Sequence, residues 1–291
     1  MHNRRMFIFS VRARFENVLV NLANVNCRKL ALVLLFSAIP TCLLSLSANA
    51  QQQQPPLDSK AVAVLHQALS SAGGVPAFNA ISDYIGTGSI TYYQPETVQG
   101  NVTVRGRDLD YFRVDASLPV GDRSEAISDG EMTLKSPKGT VDQAQWQAPI
   151  APSRIVLPYL LLASIVDSDA YSLSYQGLAK LDGKSTHHIQ IELIAPGQHD
   201  SDLASHEYKM IDFFIDASTF QVIMMQDVIP NHTARKIRYS DYALVGGVLV
   251  PLSISEESGG LPTWLIHLEK ISFNSGLQVS DFQQSATKAR H

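Results

Sequence analysis

Histidine and aspartate residues are densest in the stretch His199-Asp200-Ser201-Asp202 and at His206, which follows closely. Imidazole and carboxylate groups are zinc ligands, so this polar loop has the composition of a metal site. No second group at ligand spacing accompanies it, and surface loops commonly collect polar residues. We therefore expect no bound metal and no cofactor.

Residues arranged for catalysis are also lacking. The sequence has no Gly-x-Ser-x-Gly turn, no His-Glu-x-x-His helix and no phosphate-binding glycine loop. Asp108 and Asp110 have the spacing of a carboxylate pair, but they are better explained as turn residues. Both cysteines, Cys27 and Cys42, precede Ala50, where we expect a leader to be removed. The sequence therefore predicts a non-enzymatic protein.

The chemistry that the sequence favours is the burial of apolar groups. From Tyr171 to Phe273, apolar and polar residues alternate with a period of two, which gives each strand one apolar face. The alternating residues are Ile189, Ile191 and Leu193; Ile211, Phe213 and Ile215; Val248, Val250, Leu252 and Ile254; and Trp264, Ile266 and Leu268. Ile271 and Phe273 are out of phase with the last group, so we predict a β-bulge near Glu269-Lys270.

Two segments interrupt the strand pattern. The first is a predicted helix that begins with Asp58 or Ser59 as its cap and ends at Gly73-Gly74. The second, Ser153 to Val166, is apolar almost all round, so we expect it to be buried on more than one side. It is too short to span a membrane, which takes about 20 residues.

Hairpin-forming strands also fill the stretch from Tyr84 to Trp146, with a turn at Asp129-Gly130. Together the patterns give about ten antiparallel strands and two helices, and a flat sheet of that size would curl. We therefore predict an α+β fold, a strongly curved antiparallel half-barrel of about ten strands with two helices covering its concave face.

The N-terminus has the pattern of a secretory signal peptide, predicted over residues 1–50. A basic segment precedes the apolar run Leu30 to Leu46, and Ala48-Asn49-Ala50 offers a cleavage site. Retention of the run as a membrane anchor is an alternative, and lipidation of Cys42 fits its neighbours poorly. We expect a glutamine- and proline-rich tether at 51–58, a single domain at 59–291 and a periplasmic location.

Charge limits the partners of the mature chain. Loss of residues 1–50 removes six basic residues and one acidic residue, so the net charge changes from −4 to −9. An acidic protein is a poor candidate for binding nucleic acid or anionic membrane. No second apolar run is long enough to span a membrane.

Several local patterns, taken in order, resemble the LolA-like superfamily, which includes the lipoprotein carrier LolA, the receptor LolB and the sensor RseB. They are Tyr111-Phe112-Arg113-Val114-Asp115, the turn after Ile127 at Asp129-Gly130, the apolar segment Pro152 to Ala163, the turn Leu181-Asp182-Gly183, Ile215-Asp216-Ala217-Ser218-Thr219, and the closing segment Ile271 to Phe282. The resemblance implies a half-barrel that shelters acyl chains between sheet and helices. It also implies that Arg113 holds the lid closed, although alternation places Arg113 on the face opposite Phe112 and Val114, where it would be a plain solvent-facing residue.

An acyl chain needs a dry, apolar and adaptable groove. We predict one wall from the lid residues Leu157, Leu160 and Leu161, and the other from Phe213, Ile215, Met224, Ile237, Tyr239, Trp264 and Ile266. The same residues would also form an ordinary closed core. The leading hypothesis is a periplasmic carrier of lipid or lipoprotein acyl chains, and the alternative is an envelope sensor that binds a protein partner.

Overall fold

The structure is a computed structural model that describes residues 58–108, 110–139, 141–145, 156–194, 210–229 and 232–283. These residues belong to one compact unit, Gln52–His291. The predicted signal peptide, the predicted tether apart from Asp58, the polar loop at 199–206 and the first three residues of the predicted lid lie outside the described residues. No described helix is long and apolar enough to cross a bilayer.

Short helices and long strands make up this unit. The helices are α1 (Ser59–Ser71), α2 (Val75–Asn79) and α3 (Pro158–Ile165), with a 3₁₀ helix at Val279–Phe282. The strands are β1 (Asp83–Tyr92), β2 (Val98–Arg107), β3 (Tyr111–Leu118), β4 (Gly121–Ser128), β5 (Glu131–Lys135), β6 (Val141–Gln145), β7 (Tyr171–Leu181), β8 (Lys184–Leu193), β9 (Met210–Asp216), β10 (Val222–Ile229), β11 (Thr233–Val245), β12 (Val248–Ser258) and β13 (Leu261–Phe273).

Both ends of α1 follow from its sequence. The Asp58 side chain accepts hydrogen bonds from the backbone N–H groups of Lys60 (2.9 Å) and Ala61 (3.3 Å), as an N-cap does. At the other end Gly73 has φ +124°, and a Cβ atom there would lie 2.5 Å from the carbonyl oxygen of Gly247. Glycine is therefore required both to end the helix and to let it approach the β11–β12 turn.

The thirteen strands form one antiparallel sheet in the order β6-β5-β4-β3-β2-β1-β13-β12-β11-β10-β9-β8-β7. Strands that are neighbours in sequence pair with each other, except β6 and β7, and β1 also pairs with β13. The edge strands are β6 and β7, the sheet is not closed, and the chain segment between the two edges contains α3. The sequence indicated about ten strands because short strands such as β6, Val-Asp-Gln-Ala-Gln, carry no apolar alternation.

The predicted β-bulge is confirmed. Thr87 lies opposite Lys270 and the next residue, Gly88, lies opposite Leu268, so Glu269 is the extra residue in β13. Further register shifts occur between β7 and β8, between β9 and β10, and between β12 and β13. Bulges of this kind bend strands and increase their twist.

The sheet is consistent with a curved half-barrel. Glu125 on β4 and Glu256 on β12 are five strand spacings apart in the sheet order, roughly 24 Å on a flat sheet. The charge of Glu256 nevertheless contributes to a raised pKa at Glu125. This effect is consistent with curvature that brings β4 and β12 towards each other.

One face of the sheet, which we call the inner face, carries Ile189, Phe213, Ile237, Ile254 and Ile266. All five side chains are buried, with exposed fractions of 3% or less. They form one apolar cluster with buried residues of α1 and α3. The opposite side is the outer face, where Phe282 of the 3₁₀ helix is fully buried and packs on Tyr111 at 5.6 Å between ring centroids.

Candidate functional site

Helix α3 lies in the apolar cluster with its whole circumference buried. Seven of its eight residues are buried, and these include Leu160 and Leu161; Leu157, just before the helix, is buried as well. A soluble helix normally exposes one side to water. The sequence therefore correctly indicated that this segment is enclosed on more than one side.

Tyr159 attaches α3 to the sheet. Its phenol oxygen accepts a hydrogen bond from the backbone N–H of Val222 at 3.1 Å, and Tyr242 donates to the carbonyl of the same Val222 at 2.5 Å. The Tyr159 ring also stacks on Phe78 of α2, with centroids 5.6 Å apart. Burial raises the pKa of the Tyr159 phenol to about 12, so it stays protonated at neutral pH.

Cross-strand register places most of the predicted wall on the inner face. Phe213 lies opposite Met225, which lies opposite Ile237, and Ile237 lies opposite Glu256. Trp264 completes this row on the other side of Glu256. Ile215, Tyr239 and Ile266 are each two residues further along the same strands, so they share this face. Together with Leu157, Leu160 and Leu161 they belong to one apolar cluster.

Met224 was expected on the same wall, and the register corrects this. Between Val222 and Met224 the pairing of β9 with β10 shifts, so that Val222 lies opposite Ile215 but Met224 lies opposite Phe214. The extra residue turns Met224 towards the outer face and Met225 towards the inner face. Met225 is fully buried in the apolar cluster and takes the place predicted for Met224.

Arg113 was expected to hold the lid, and its described contacts correct this as well. It lies on the outer face, where its guanidinium bonds Asp115 and donates to the carbonyl oxygens of Asp281 (3.2 Å) and Gln283 (3.1 Å). The C-terminal segment, rather than α3, is thus what Arg113 holds in the part of the chain that the structure describes.

The inner face also carries a group of charged side chains, which we call the charged cluster: Arg123, Glu125, Asp227, Arg235 and Glu256. Asp227 and Arg235 form a buried ion pair with two bonds, at 2.9 and 2.5 Å, and exposed fractions of 3% and 5%. Glu256 accepts a hydrogen bond from the Thr263 hydroxyl at 2.8 Å. Arg123 lies over the ring of Tyr92, 4.4 Å from its centroid. The cluster therefore forms a polar end to the apolar wall.

Burial destabilises the ionised form of two carboxylates in the cluster relative to the same groups in water. Burial raises the pKa of Glu125, and the charge of Glu256 adds to that rise while Arg123 opposes it. Burial likewise raises the pKa of Glu256, against the opposing effects of Arg235 and Thr263. Both side chains are partly exposed, so a ligand on the inner face could reach them.

Tyr239 is a further polar side chain near the charged cluster. Its side chain is 3% exposed, and its hydroxyl has no hydrogen-bond partner among the described residues. Burial raises the pKa of this phenol, and the charges of Arg235 and Asp227 act on it. A buried hydroxyl without a partner is costly, because it has lost its bonds to water.

A cleft of about 250 Å³ opens at the other end of the inner face, next to α3. Phe78, Tyr84, Asp83, Arg107 and Leu160 are among its lining residues. Its volume lies just below the range of small-ligand pockets, about 300–1,000 Å³. The cleft shows that α3 and the sheet do not make continuous contact there.

Sequence patterns alone missed the charged cluster, although a signal was present. Asp227, Arg235 and Glu256 are each two residues from an inner-face apolar residue, namely Met225, Ile237 and Ile254. Strand alternation therefore places all three on the apolar face. Among the described residues, no group of three or more histidine, cysteine or acidic side chains has the geometry of a metal site.

Solved structures match the fold. A DUF1329 family protein from Desulfovibrio piger is 11% identical over 78% of this chain and 98% of its own, with a TM-score of 0.51. A LolA superfamily protein from Nitrosomonas europaea is 10% identical over 75% of this chain and 96% of its own, with a TM-score of 0.48. At 11% identity, the match to the DUF1329 family protein concerns the fold alone. No protein-family model and no curated protein matches the sequence.

Proposed function

We propose that this chain is a non-enzymatic periplasmic protein that binds acyl chains of a lipid or lipoprotein between α3 and the inner face. The N-terminal segment would direct it to the periplasm, and the domain at 59–291 would carry the ligand. In this proposal the two helices cover the concave side of the half-barrel, and the acyl chains take the place of contacts between them and the wall.

One observation carries the proposal: α3 is apolar around its circumference and lies in the chain between β6 and β7, the two edge strands of a sheet that is not closed. A helix that is apolar on all sides is buried on all sides, as α3 is here. In this proposal the residues of α3 that pack on the wall when the site is empty would pack on acyl chains when it is filled. Met225 on the wall suits such a site as well, because methionine adapts to different shapes.

Uptake in this proposal requires α3 to move away from the wall. Two contacts of Tyr159 oppose that movement. Its phenol oxygen accepts a hydrogen bond from the Val222 N–H, and its ring stacks on Phe78. The cleft beside Leu160 and Tyr84 is the place where separation would begin, since contact is already incomplete there.

The proposal is tested by purifying the protein from a native periplasmic extract, extracting it with organic solvent and analysing the extract by lipid mass spectrometry. Emptied protein is then titrated with a fluorescent fatty acid. A wall variant, Phe213→Asp, should abolish binding, whereas Phe214→Asp, one residue away on the outer face, should retain it. Absence of co-purified lipid together with absence of fatty-acid binding would refute the proposal. A protein partner recovered by pull-down without dependence on lipid would favour the envelope-sensor alternative.

A further inference from the structure

Three hairpin turns lie side by side at one end of the sheet. Tyr92 at the end of β1 pairs with Val98 at the start of β2 and with Trp264 near the start of β13. The start of β2 likewise lies beside the end of β3. Strands β4, β3, β2, β1, β13 and β12 are consecutive in the sheet, so their turns form one row. We call this row the rim, and it consists of residues 93–97, 118–121 and 258–262.

The helices are attached at the opposite end of the sheet. Tyr159 of α3 bonds Val222, which follows the β9–β10 turn, and Gly73 after α1 lies against Gly247 in the β11–β12 turn. Strand β12 runs from the β11–β12 turn to the rim. The rim is therefore the end of the sheet that lies away from these two attachments.

The rim exposes apolar side chains on separate turns. Val120 is 64% exposed and Leu261 is 57% exposed. Each turn also carries an exposed proline, namely Pro95, Pro119 or Pro262. Proline has no backbone N–H, so a turn that contains it leaves one donor fewer without a partner when it enters an apolar medium. The composition of the rim therefore lowers the cost of leaving water.

Charge is nearly absent from the rim. Glu96 is the only charged residue in its three segments, whereas 17% of the whole chain is charged. The nearest residues beyond the segments that carry charge, Asp122 and Glu257, are acidic. Attraction to an anionic surface is therefore not what the rim offers, and contact through its apolar side chains is.

Aromatic side chains stand directly behind the turns. Tyr92, Tyr93 and Trp264 are all partly exposed, and each is within three residues of an exposed residue of the rim. Tyrosine and tryptophan favour the boundary between an apolar medium and water, because each has an apolar ring and a polar atom. Their position behind Leu261 and Pro95 is the one that such a boundary would occupy if the turns entered a bilayer.

The spacing of the exposed residues favours a flat partner. The turns that carry Val120 and Leu261 are four strand spacings apart, roughly 19 Å along the sheet. Contacts that dominate a protein interface cluster near its centre, whereas these are spread along a row. A bilayer surface accepts a row of shallow contacts without matching its shape.

We propose that the rim docks on a lipid bilayer, with Val120 and Leu261 inserted among the lipids and the aromatic residues at the interface. The bilayer surface need not be anionic, because apolar contact supplies the binding. This docking goes beyond the proposed function and does not depend on it. If the inner face does bind acyl chains, docking would bring its rim end, at Trp264, to the membrane surface.

The experiment is flotation of the leader-free protein with vesicles of phosphatidylcholine, and with vesicles that also contain phosphatidylglycerol. The protein should float with both. Val120→Glu combined with Leu261→Glu should lower the affinity for phosphatidylcholine vesicles by about tenfold or more, because the two side chains no longer enter the apolar phase. The matched control is Leu178→Glu combined with Leu244→Glu, which alters residues 65% and 72% exposed on hairpins that turn at the opposite end and should keep the affinity.

Each other outcome overturns the docking. These outcomes are absence of flotation with both vesicles, flotation only with phosphatidylglycerol, and equal losses for the two variant pairs. A dimer in light scattering that needs Val120 and Leu261, without flotation, would assign the rim to a protein contact instead. Fluorescent fatty-acid binding in solution, measured on the same variants, should be unchanged by either pair. Failure of the docking and failure of the proposed function are therefore read from separate assays.

Discussion

Removal of a single oxygen atom from Tyr159 should measure how strongly α3 is held. Tyr159→Phe deletes the acceptor of the Val222 N–H, 3.1 Å away, and keeps the ring that stacks on Phe78. Val222 is fully buried, so water cannot replace the lost acceptor in the closed form. The substitution opens no large cavity, which separates the hydrogen bond from packing.

The magnitude follows from the burial of the donor. A buried donor left without a partner costs about 1–3 kcal/mol of unfolding free energy. For a domain of this size that corresponds to a fall in melting temperature of roughly 2–4 °C per kcal/mol. If α3 must leave the wall during uptake, the same variant should also accelerate uptake of a fluorescent fatty acid, because α3 no longer has to break the hydrogen bond between Tyr159 and Val222.

The assays are urea unfolding of the leader-free protein at pH 7 and stopped-flow uptake of the fatty acid. The matched control is Tyr111→Phe, which removes the same atom from an exposed bond to Asp129, so that water can replace it. The control should leave stability and uptake nearly unchanged. Equal unfolding free energies for the two variants would refute the role of Tyr159 as an anchor, and lower stability without faster uptake would refute the movement of α3.

Three further predictions concern the rest of the inner and outer faces. Asp227→Asn should lower the unfolding free energy by about 3–5 kcal/mol in urea titrations, because it leaves Arg235 buried without its counter-charge; a loss below about 1 kcal/mol would contradict this. Arg113→Ala should accelerate hydrogen exchange in the segment 275–283 and leave fatty-acid affinity unchanged. Weaker fatty-acid binding by this variant would instead support the role of Arg113 in holding the lid. Glu125→Gln should be more stable than the unaltered protein at pH 7 and equally stable near pH 4. Burial raises the folded-state pKa of Glu125 above 4.5, so the unaltered protein loses stability as pH rises from that value and the glutamine variant does not; urea titrations across pH 4–8 would show a gap that widens with pH.

The fold was largely predictable because period-two alternation survives wherever one face is buried. It identified Phe213, Ile215 and Ile266 on one wall, and its break after Leu268 located the β-bulge at Glu269. It failed at Met224 because Val222-Ile223-Met224-Met225 is apolar at every position. An extra residue in such a run changes the face of its neighbours without leaving any mark in the polarity pattern.

The site was less predictable because it depends on contacts between distant segments. Alternation correctly placed Arg113 on the other face of the sheet from Phe112. The C-terminal segment that Arg113 binds, however, lies 168 residues later in the chain, at Asp281. Glu125 and Glu256 belong to strands that are not neighbours in the sheet, yet the charge of Glu256 contributes to the raised pKa of Glu125. Local sequence patterns carry no information on interactions between residues so far apart in the chain.

The inner face carries charged side chains at positions where an apolar wall does not need them. Glu125 lies opposite Val114 and Leu134, and Glu256 lies opposite Ile237, so apolar residues at both positions would extend the wall without a break. The Asp227–Arg235 pair is internally balanced. Glu125 and Glu256 lose favourable hydration and repel each other, whereas Arg123 and Arg235 attract them and Thr263 donates a hydrogen bond to Glu256. A ligand role and a structural role therefore predict opposite results for Glu125→Leu combined with Glu256→Leu. If the carboxylates serve a ligand, this variant should be more stable at pH 7; if they serve the fold, it should be less stable at every pH.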